Sequence, residues 1–251
     1  MSQSASPDKP PTLVLLPGMD GTGEFFAPLV DAVASRMLLQ VVRYPTDAAA
    51  GYAELTAFAR AKLPIDTPFV LLGESFSGPI AAALAAEAPP NLRGLVLCCS
   101  FVRNPRPSMA WLRGFTRWLP VQAVPTRLMA AVLLGRWSST EWRTVLARAL
   151  AQVSPAAMRA RVHAVLSVDA SADLARVQVP TLYLCATHDR VVPVAAARRV
   201  TRLKPDTQIV ELPGPHFLLQ VAPVEAAKAI QAFVDAAATA GATPRSPASL
   251  H

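Results

Sequence analysis

Between residues 12 and 100, short apolar runs alternate with longer helix-type stretches, and this rhythm is the strongest constraint on the fold. The runs lie at 13–16, 38–44, 69–73 and 92–100, and helix-type stretches at 24–36, 52–63 and 77–87 separate them. None of the runs alternates apolar with polar residues, as a strand with one wet face does, so each reads as a strand buried on both sides. The rhythm resumes with a strand at 181–186, a helix at 194–203, a strand at 208–212 and a helix at 222–237. Six such strands predict an α/β fold, a parallel, doubly wound sheet flanked by helices.

The stretch 101–167 breaks the rhythm, with helix signals and no convincing strand. Ser138 and Glu141 have capping-box spacing ahead of Trp142, Val145, Leu146 and Ala149. Ser154-Pro155 opens a further helix with Met158, Val162 and Leu166 on one face, and residues 125–134 closed by Gly135 form another. The expected organisation is a core from 1–100 and 168–251 with a helical cap at 101–167. Residues 1–11 and 239–251, polar or small and Pro-containing, are expected to be disordered.

Hydrophobic residues make up 52% of the 251, yet the longest apolar runs, such as 129–134, stop far below the roughly 20 residues of a membrane span. A transmembrane segment is therefore not expected. Residues 13–16 are too short for the core of a secretory signal, which makes the cytoplasm the expected compartment. The three cysteines, Cys98, Cys99 and Cys185, lack metal-ligand spacing and sit in strand-like runs, so they read as reduced packing residues. No metal or other cofactor is expected.

Gly73-Glu74-Ser75-Phe76-Ser77-Gly78 follows one strand directly and precedes an Ala-rich helix. A serine on such a sharp strand-to-helix turn projects its hydroxyl clear of the sheet, provided its neighbours are small. Ser77 stands where the usual motif has glycine, with Gly78 one place later. A serine hydroxyl is a weak nucleophile at neutral pH and needs a base and a group that orients the base. Among four histidines, His163 lies in a cap helix, His251 in the tail and His188 at a strand end, whereas His216 occupies the loop after the last strand. Asp189, ending the fifth strand, is the candidate orienting carboxylate, and Asp169 and Asp173 fit turn capping better. The oxyanion donors would be the backbone N–H groups of Phe76 and of Met19, the latter in the loop Leu16-Pro-Gly-Met-Asp-Gly-Thr-Gly23. That loop lacks the Gly-Lys-Ser/Thr of a phosphate cradle.

The order Ser75, Asp189, His216, with the Gly-rich loop and the serine turn, resembles the α/β-hydrolase superfamily from about Thr12 to Ala238. The resemblance implies a minimal six-stranded sheet in the family order 4-3-5-6-7-8, without the two N-terminal strands of larger members, and serine-dependent acyl transfer. A serine nucleophile separates the chain from the dehalogenase and epoxide-hydrolase branches, which use aspartate. Pro17 replaces the histidine common at the start of the oxyanion loop. The size, the cap position and Asp189-Arg-Val-Val-Pro193 are similar to small proteobacterial esterases, including the pimeloyl-acyl-carrier-protein methyl ester esterases of biotin synthesis. The loop Pro17-Gly-Met-Asp-Gly-Thr-Gly23 also resembles that of lipid acyltransferase-like hydrolases. A thioesterase or acyltransferase would use the same three residues, and a non-catalytic ligand receptor could keep the same fold.

All four tryptophans lie in 101–167. Trp111, Phe115, Trp118, Met129 and Leu133 are candidates to line an acyl pocket, or to pack the cap helices together. The same stretch holds ten arginines against one acid, Glu141, a net of +9 that leaves −2 for the rest of a chain whose total is +7. Arg136, Arg143, Arg148 and Arg159 are candidates to dock an acidic acyl carrier protein, or else form a solvated face. Nucleic acid is not an expected partner, since the charge belongs to the lid of a candidate active site.

Overall fold

The structure is a computed structural model that describes residues 11–33, 37–121 and 123–242, with side chains to residue 237. It contains β1 (Thr12–Leu16), α1 (Ala27–Val33), β2 (Leu39–Val41), α2 (Tyr52–Arg60), β3 (Phe69–Glu74), α3 (Gly78–Ala86) and β4 (Leu92–Cys98). Then follow a 3-10 segment (Pro107–Trp118), α4 (Thr126–Leu133), α5 (Thr140–Ala151), α6 (Pro155–Ser167) and α7 (Ser171–Arg176). The chain returns to the sheet with β5 (Thr181–Ala186), α8 (Val194–Leu203), β6 (Gln208–Leu212), α9 (Leu218–Val221) and α10 (Pro223–Ala242).

All strand pairs are parallel, in the order β2-β1-β3-β4-β5-β6. This is the six-stranded sheet and strand order that the resemblance implies. Two-sided burial explains the missing alternation in β1, β3, β4 and β5; the edge strands β2 and β6, expected to be buried as well, are half-buried or exposed because each has a strand neighbour on one side only. Val14 and Leu16 of β1 and Phe69 and Leu71 of β3 pack on one face, with Leu55, Ile80, Leu84 and Val200 from α2, α3 and α8. Leu13, Leu15, Val70 and Leu72 pack on the other, with Leu29, Ile230 and Phe233 from α1 and α10. Each buried Leu or Val side chain contributes on the order of 2 kcal/mol from apolar burial.

No strand lies between β4 and β5 among the described residues. Phe25, Ala130, Leu134, Leu146, Ala149 and Phe217 form a third cluster that seats α4 and α5 against the loops at the C-terminal ends of the strands. Two local details differ from the expectation. The cap of α5 is Ser139, whose hydroxyl accepts from the Trp142 N–H, so the helix begins one residue after the Ser138–Glu141 spacing suggested. The buried face of α6 is Ala157, Arg161 and Ala164, while Met158, Val162 and Leu166 are half-buried. Small residues at that spacing let the helix approach closely and make room for one long side chain.

Residues 239–242 belong to α10; of the segments 1–11 and 239–251 expected to be disordered, 1–10 and 243–251 lie outside the described residues. The cysteines are free thiols, Cys98 and Cys99 buried and Cys185 half-buried. No helix among the described residues is long and apolar enough to cross a membrane.

The turn from β3 to α3 is tightly constrained. A Cβ on Gly73 would lie 2.7 Å from the Ser77 carbonyl oxygen and 2.8 Å from Ala81 Cβ. Gly73→Ala is therefore expected to cost about 1–3 kcal/mol of unfolding free energy. Gly114→Ala, whose Cβ would meet nothing within 4 Å, should change it by less than about 0.5 kcal/mol. Urea melts of the two variants check the contrast, and equal stabilities would contradict it.

Candidate active site

Ser75 sits at the end of β3 with φ +48°, a left-handed conformation that a non-glycine residue holds only when its surroundings enforce it. The enforcement is visible. The Ser100 hydroxyl donates to the Ser75 carbonyl, and the Tyr52 hydroxyl donates to the Phe76 carbonyl at 3.1 Å. Ser77 is fully buried, and its hydroxyl donates to the Pro17 carbonyl of the loop after β1. With that hydrogen spent, Ser77 Oγ accepts from the Tyr44 hydroxyl at 2.7 Å. The serine in place of glycine thus ties the Ser75 turn to the Gly-rich loop, a role the sequence did not disclose.

The structure brings the three expected residues together. Ser75 Oγ lies 2.8 Å from His216 Nε2, and His216 Nδ1 lies 2.8 Å from Asp189 Oδ2. Both the His216 and Asp189 side chains are nearly buried. The other Asp189 oxygen, Oδ1, accepts from the Val191 and Val192 N–H groups, each at 2.8 Å, which fixes the carboxylate plane. An ionised carboxylate only accepts, so His216 Nδ1 carries the hydrogen and Nε2 is left to accept from Ser75. This chain can take a proton from the serine hydroxyl and return it. The competing residues lie elsewhere: Asp169 caps a turn at Ser171, Asp173 pairs with Arg176, His163 meets Thr116, and His188 meets Thr187.

Above Ser75 is a cavity of about 410 Å³, within the range of small-molecule sites. Its wall is chiefly apolar: Met129 and Leu133 border it, with Leu128, Leu146, Met158 and Phe217, and so do Met19, Glu74, Ser75 and His216. Trp111, Phe115 and Trp118 do not line it. They are 68%, 55% and 61% exposed, because the 3-10 segment turns Thr116 inward towards α6, where Thr116 Oγ1 meets His163 Nδ1 at 3.1 Å. The three rings pack on one another instead, with the Arg117 guanidinium 3.7 Å over Trp118.

The four candidate docking arginines each have different partners. Arg148 pairs with Glu24 at 3.1 Å, and Arg143 donates to Ser138 and Thr140. Arg136 stacks over Trp137, and Arg159 borders a separate groove beside Tyr52 and His163. Arg161, one of the ten arginines of 101–167, is fully buried and donates to the carbonyls of Met19, Asp20 and Pro45. The signal that could have found it is the alanine pair at 157 and 164 on the same helix face.

Glu74 and Gln220 were also missed. Glu74 Oε1 accepts from Gln220 Nε2 at 2.9 Å, linking the residue before Ser75 to the helix after His216. Burial pushes the Glu74 carboxyl from 4.5 up to about 7, outweighing the opposing Gln220 hydrogen bond. Folded Glu74 holds its proton more tightly than the unfolded chain does. Its contribution to stability is therefore full below about pH 4.5 and is lost as pH rises through about 7. At ~1.4 kcal/mol per tenfold change in proton affinity the loss approaches ~3 kcal/mol. Glu74→Gln, which cannot ionise, is expected to raise Tm over the wild type at pH 8.5 by more than it does at pH 4.5. Scanning calorimetry checks this, and parallel Tm–pH curves would contradict it.

A family model described as serine aminopeptidase, S33 (Hydrolase_4) matches residues 40–214. A pimeloyl-[acyl-carrier protein] methyl ester esterase from Xanthomonas oryzae pv. oryzae is 29% identical over 226 residues, covering 81% of this chain and 87% of that one. A pyrrolizixenacetamide deacetylase from Xenorhabdus hominickii is 24% identical over 158 residues, and the match spans 59% of each chain. A thermophilic esterase from Thermogutta terrifontis shares the fold with TM-score 0.78 at 19% identity, covering 91% of both chains. The sheet order, the Ser75 turn and the family match agree: the chain belongs to the Hydrolase_4 family of serine hydrolases in the α/β-hydrolase superfamily.

Proposed function

We propose that the protein is a carboxylic-ester hydrolase that cleaves esters of apolar acyl groups through an acyl-enzyme on Ser75. The observation that carries this reading is the apolar cavity of about 410 Å³ bordered by the Ser75–His216 pair. Ser75 Oγ attacks the ester carbonyl while His216 Nε2 takes its proton and then gives it to the departing alcohol. Water, deprotonated by His216, releases the acid. Asp189 holds the imidazole in the Nδ1–H tautomer, and the Met19 and Phe76 N–H groups receive the developing oxyanion. Residues 101–167 serve as the cap that shields the acyl chain from water, which strengthens those hydrogen bonds.

A finer reading is that the ester is a methyl ester carried on an acyl carrier protein. The Xanthomonas relative favours it, and so does the net +9 of residues 101–167, which suits an acidic carrier. Under this reading Arg136 and Arg159, with the exposed Arg117, are better placed to meet a carrier than Arg148, which Glu24 already engages.

Ser75→Ala is expected to lower kcat/KM on p-nitrophenyl esters by more than ~10³-fold; wild-type turnover by that variant would overturn the assignment. Leu133→Trp should depress turnover of octanoyl esters far more than of acetyl esters, since the indole fills the cavity. An unchanged chain-length profile would show that the acyl group binds elsewhere. Turnover of a carrier-linked ester should fall steeply between 50 and 500 mM salt, while that of a small ester stays level. Equal salt responses would remove the carrier reading.

A further inference from the structure

We propose that Arg161 is a positioning residue for the oxyanion donor, so that a helix of the β4–β5 segment sets the geometry of the reacting centre. This rests on the serine-hydrolase reading above. Arg161 is the largest fully buried side chain in the described structure. It reaches from α6 to the loop after β1, where Nη1 donates to the Met19 carbonyl at 2.8 Å and to the Asp20 carbonyl at 2.7 Å. Nη2 donates to the Pro45 carbonyl at 2.7 Å, which anchors the second terminal nitrogen of the guanidinium.

The loop is held by its carbonyls one after another. Pro17 accepts from Ser77 Oγ, Gly18 from the Gly21 N–H, Met19 and Asp20 from Arg161, and Gly21 from the Tyr44 N–H. A trans peptide points its N–H opposite to the preceding carbonyl. The Gly18 carbonyl therefore fixes where the Met19 N–H points, and its hydrogen bond depends on Gly21 staying in place. Arg161 secures the two peptides between Met19 and Gly21. Among the described residues none accepts from the Met19 N–H, which leaves it free to serve the cavity that Met19 borders.

Burying a guanidinium is costly, and the protein supports it only in part. Among the described residues no carboxylate lies within ion-pair distance of it; the nearby Asp20 carboxyl is engaged by Thr22, and burial pushes that carboxyl up despite the Arg161 charge. Arg161 Nε has no hydrogen-bond partner among the described residues. A neutral residue would fill the volume more cheaply, so the arrangement favours a role that needs the forked donor. Gly21, at φ +73°, supplies the space: a Cβ there would lie 2.7 Å from Arg161 Nη1. Lysine could keep the charge but cannot span two successive carbonyls and Pro45 together.

The test compares Arg161→Lys and Gly21→Ala, which disturb the same contact from opposite sides, with the wild type and Ser75→Ala. Folding is checked by Tm and far-UV circular dichroism. Turnover is measured on p-nitrophenyl butyrate, with inhibition by an alkyl boronic acid, whose tetrahedral adduct carries the oxyanion, and by butyrate. Arg161→Lys is expected to lower kcat about 100-fold. KM and butyrate inhibition should change less than ~3-fold, while boronate affinity falls in step with kcat. Gly21→Ala should move the same quantities in the same direction. A folded Arg161→Lys with wild-type kcat and boronate affinity would overturn the proposal. If that variant does not fold, a folded Gly21→Ala is read by the same criteria. Should neither fold, Arg161 acts on stability and not on position, and the proposal fails. Full activity in Ser75→Ala would instead remove the underlying serine reading.

Discussion

The left-handed backbone at Ser75 is the constraint on which the rest of the site depends. A residue with a Cβ at φ +48° costs about 1–3 kcal/mol, and the turn persists because the surrounding structure over-determines it. Close packing at Gly73, the Ser100 hydroxyl on the Ser75 carbonyl and the Tyr52 hydroxyl on the Phe76 carbonyl leave no relaxed alternative. The reward is geometric. The hydroxyl leaves the sheet edge at the one place where the loops after β5 and β6 deliver Asp189 and His216 within 2.8 Å contacts.

A parallel sheet gathers its C-terminal strand ends on one edge, which explains why three residues far apart in sequence can meet. Approximate meeting is not enough for proton transfer, and the remaining precision comes from buried polar contacts between loops. Ser77 joins the serine turn to the loop after β1, Gln220 joins it to the helix after His216, and Arg161 joins that first loop to α6. Each contact satisfies a backbone carbonyl or a carboxyl that would otherwise be buried without a partner. The apolar cavity lies inside this frame, with α4 and α5 as its outer wall.

Much of this was legible in the sequence because the governing signals are local or ordered along the chain. Strands buried on both faces betray themselves by lacking alternation, and the order of serine, aspartate and histidine with their strand-end positions singled out the three that meet. What was not legible depends on which way a helix faces. Trp111, Phe115 and Trp118 looked like pocket residues, yet Thr116 is the residue that turns inward and the rings point outward. On α6 the apolar residues Met158, Val162 and Leu166 suggested the inner face, but Ala157 and Ala164 bring the helix close enough to bury Arg161 between them. A count of charges along the chain included that arginine in the net +9 without telling which way it faces, since charge alone carries no direction. The Ser139 cap shows the same limit at one residue's scale, because Ser138 and Ser139 both offer a hydroxyl and only the backbone path chooses.

Mass spectrometry after labelling with an alkyl fluorophosphonate decides whether Ser75 is the group that attacks the acyl carbon. One adduct per chain is expected, carried by the peptide that contains Ser75, with no labelling after the protein is unfolded in urea. An adduct on another residue, or no adduct on a folded protein that still hydrolyses esters, would contradict that role.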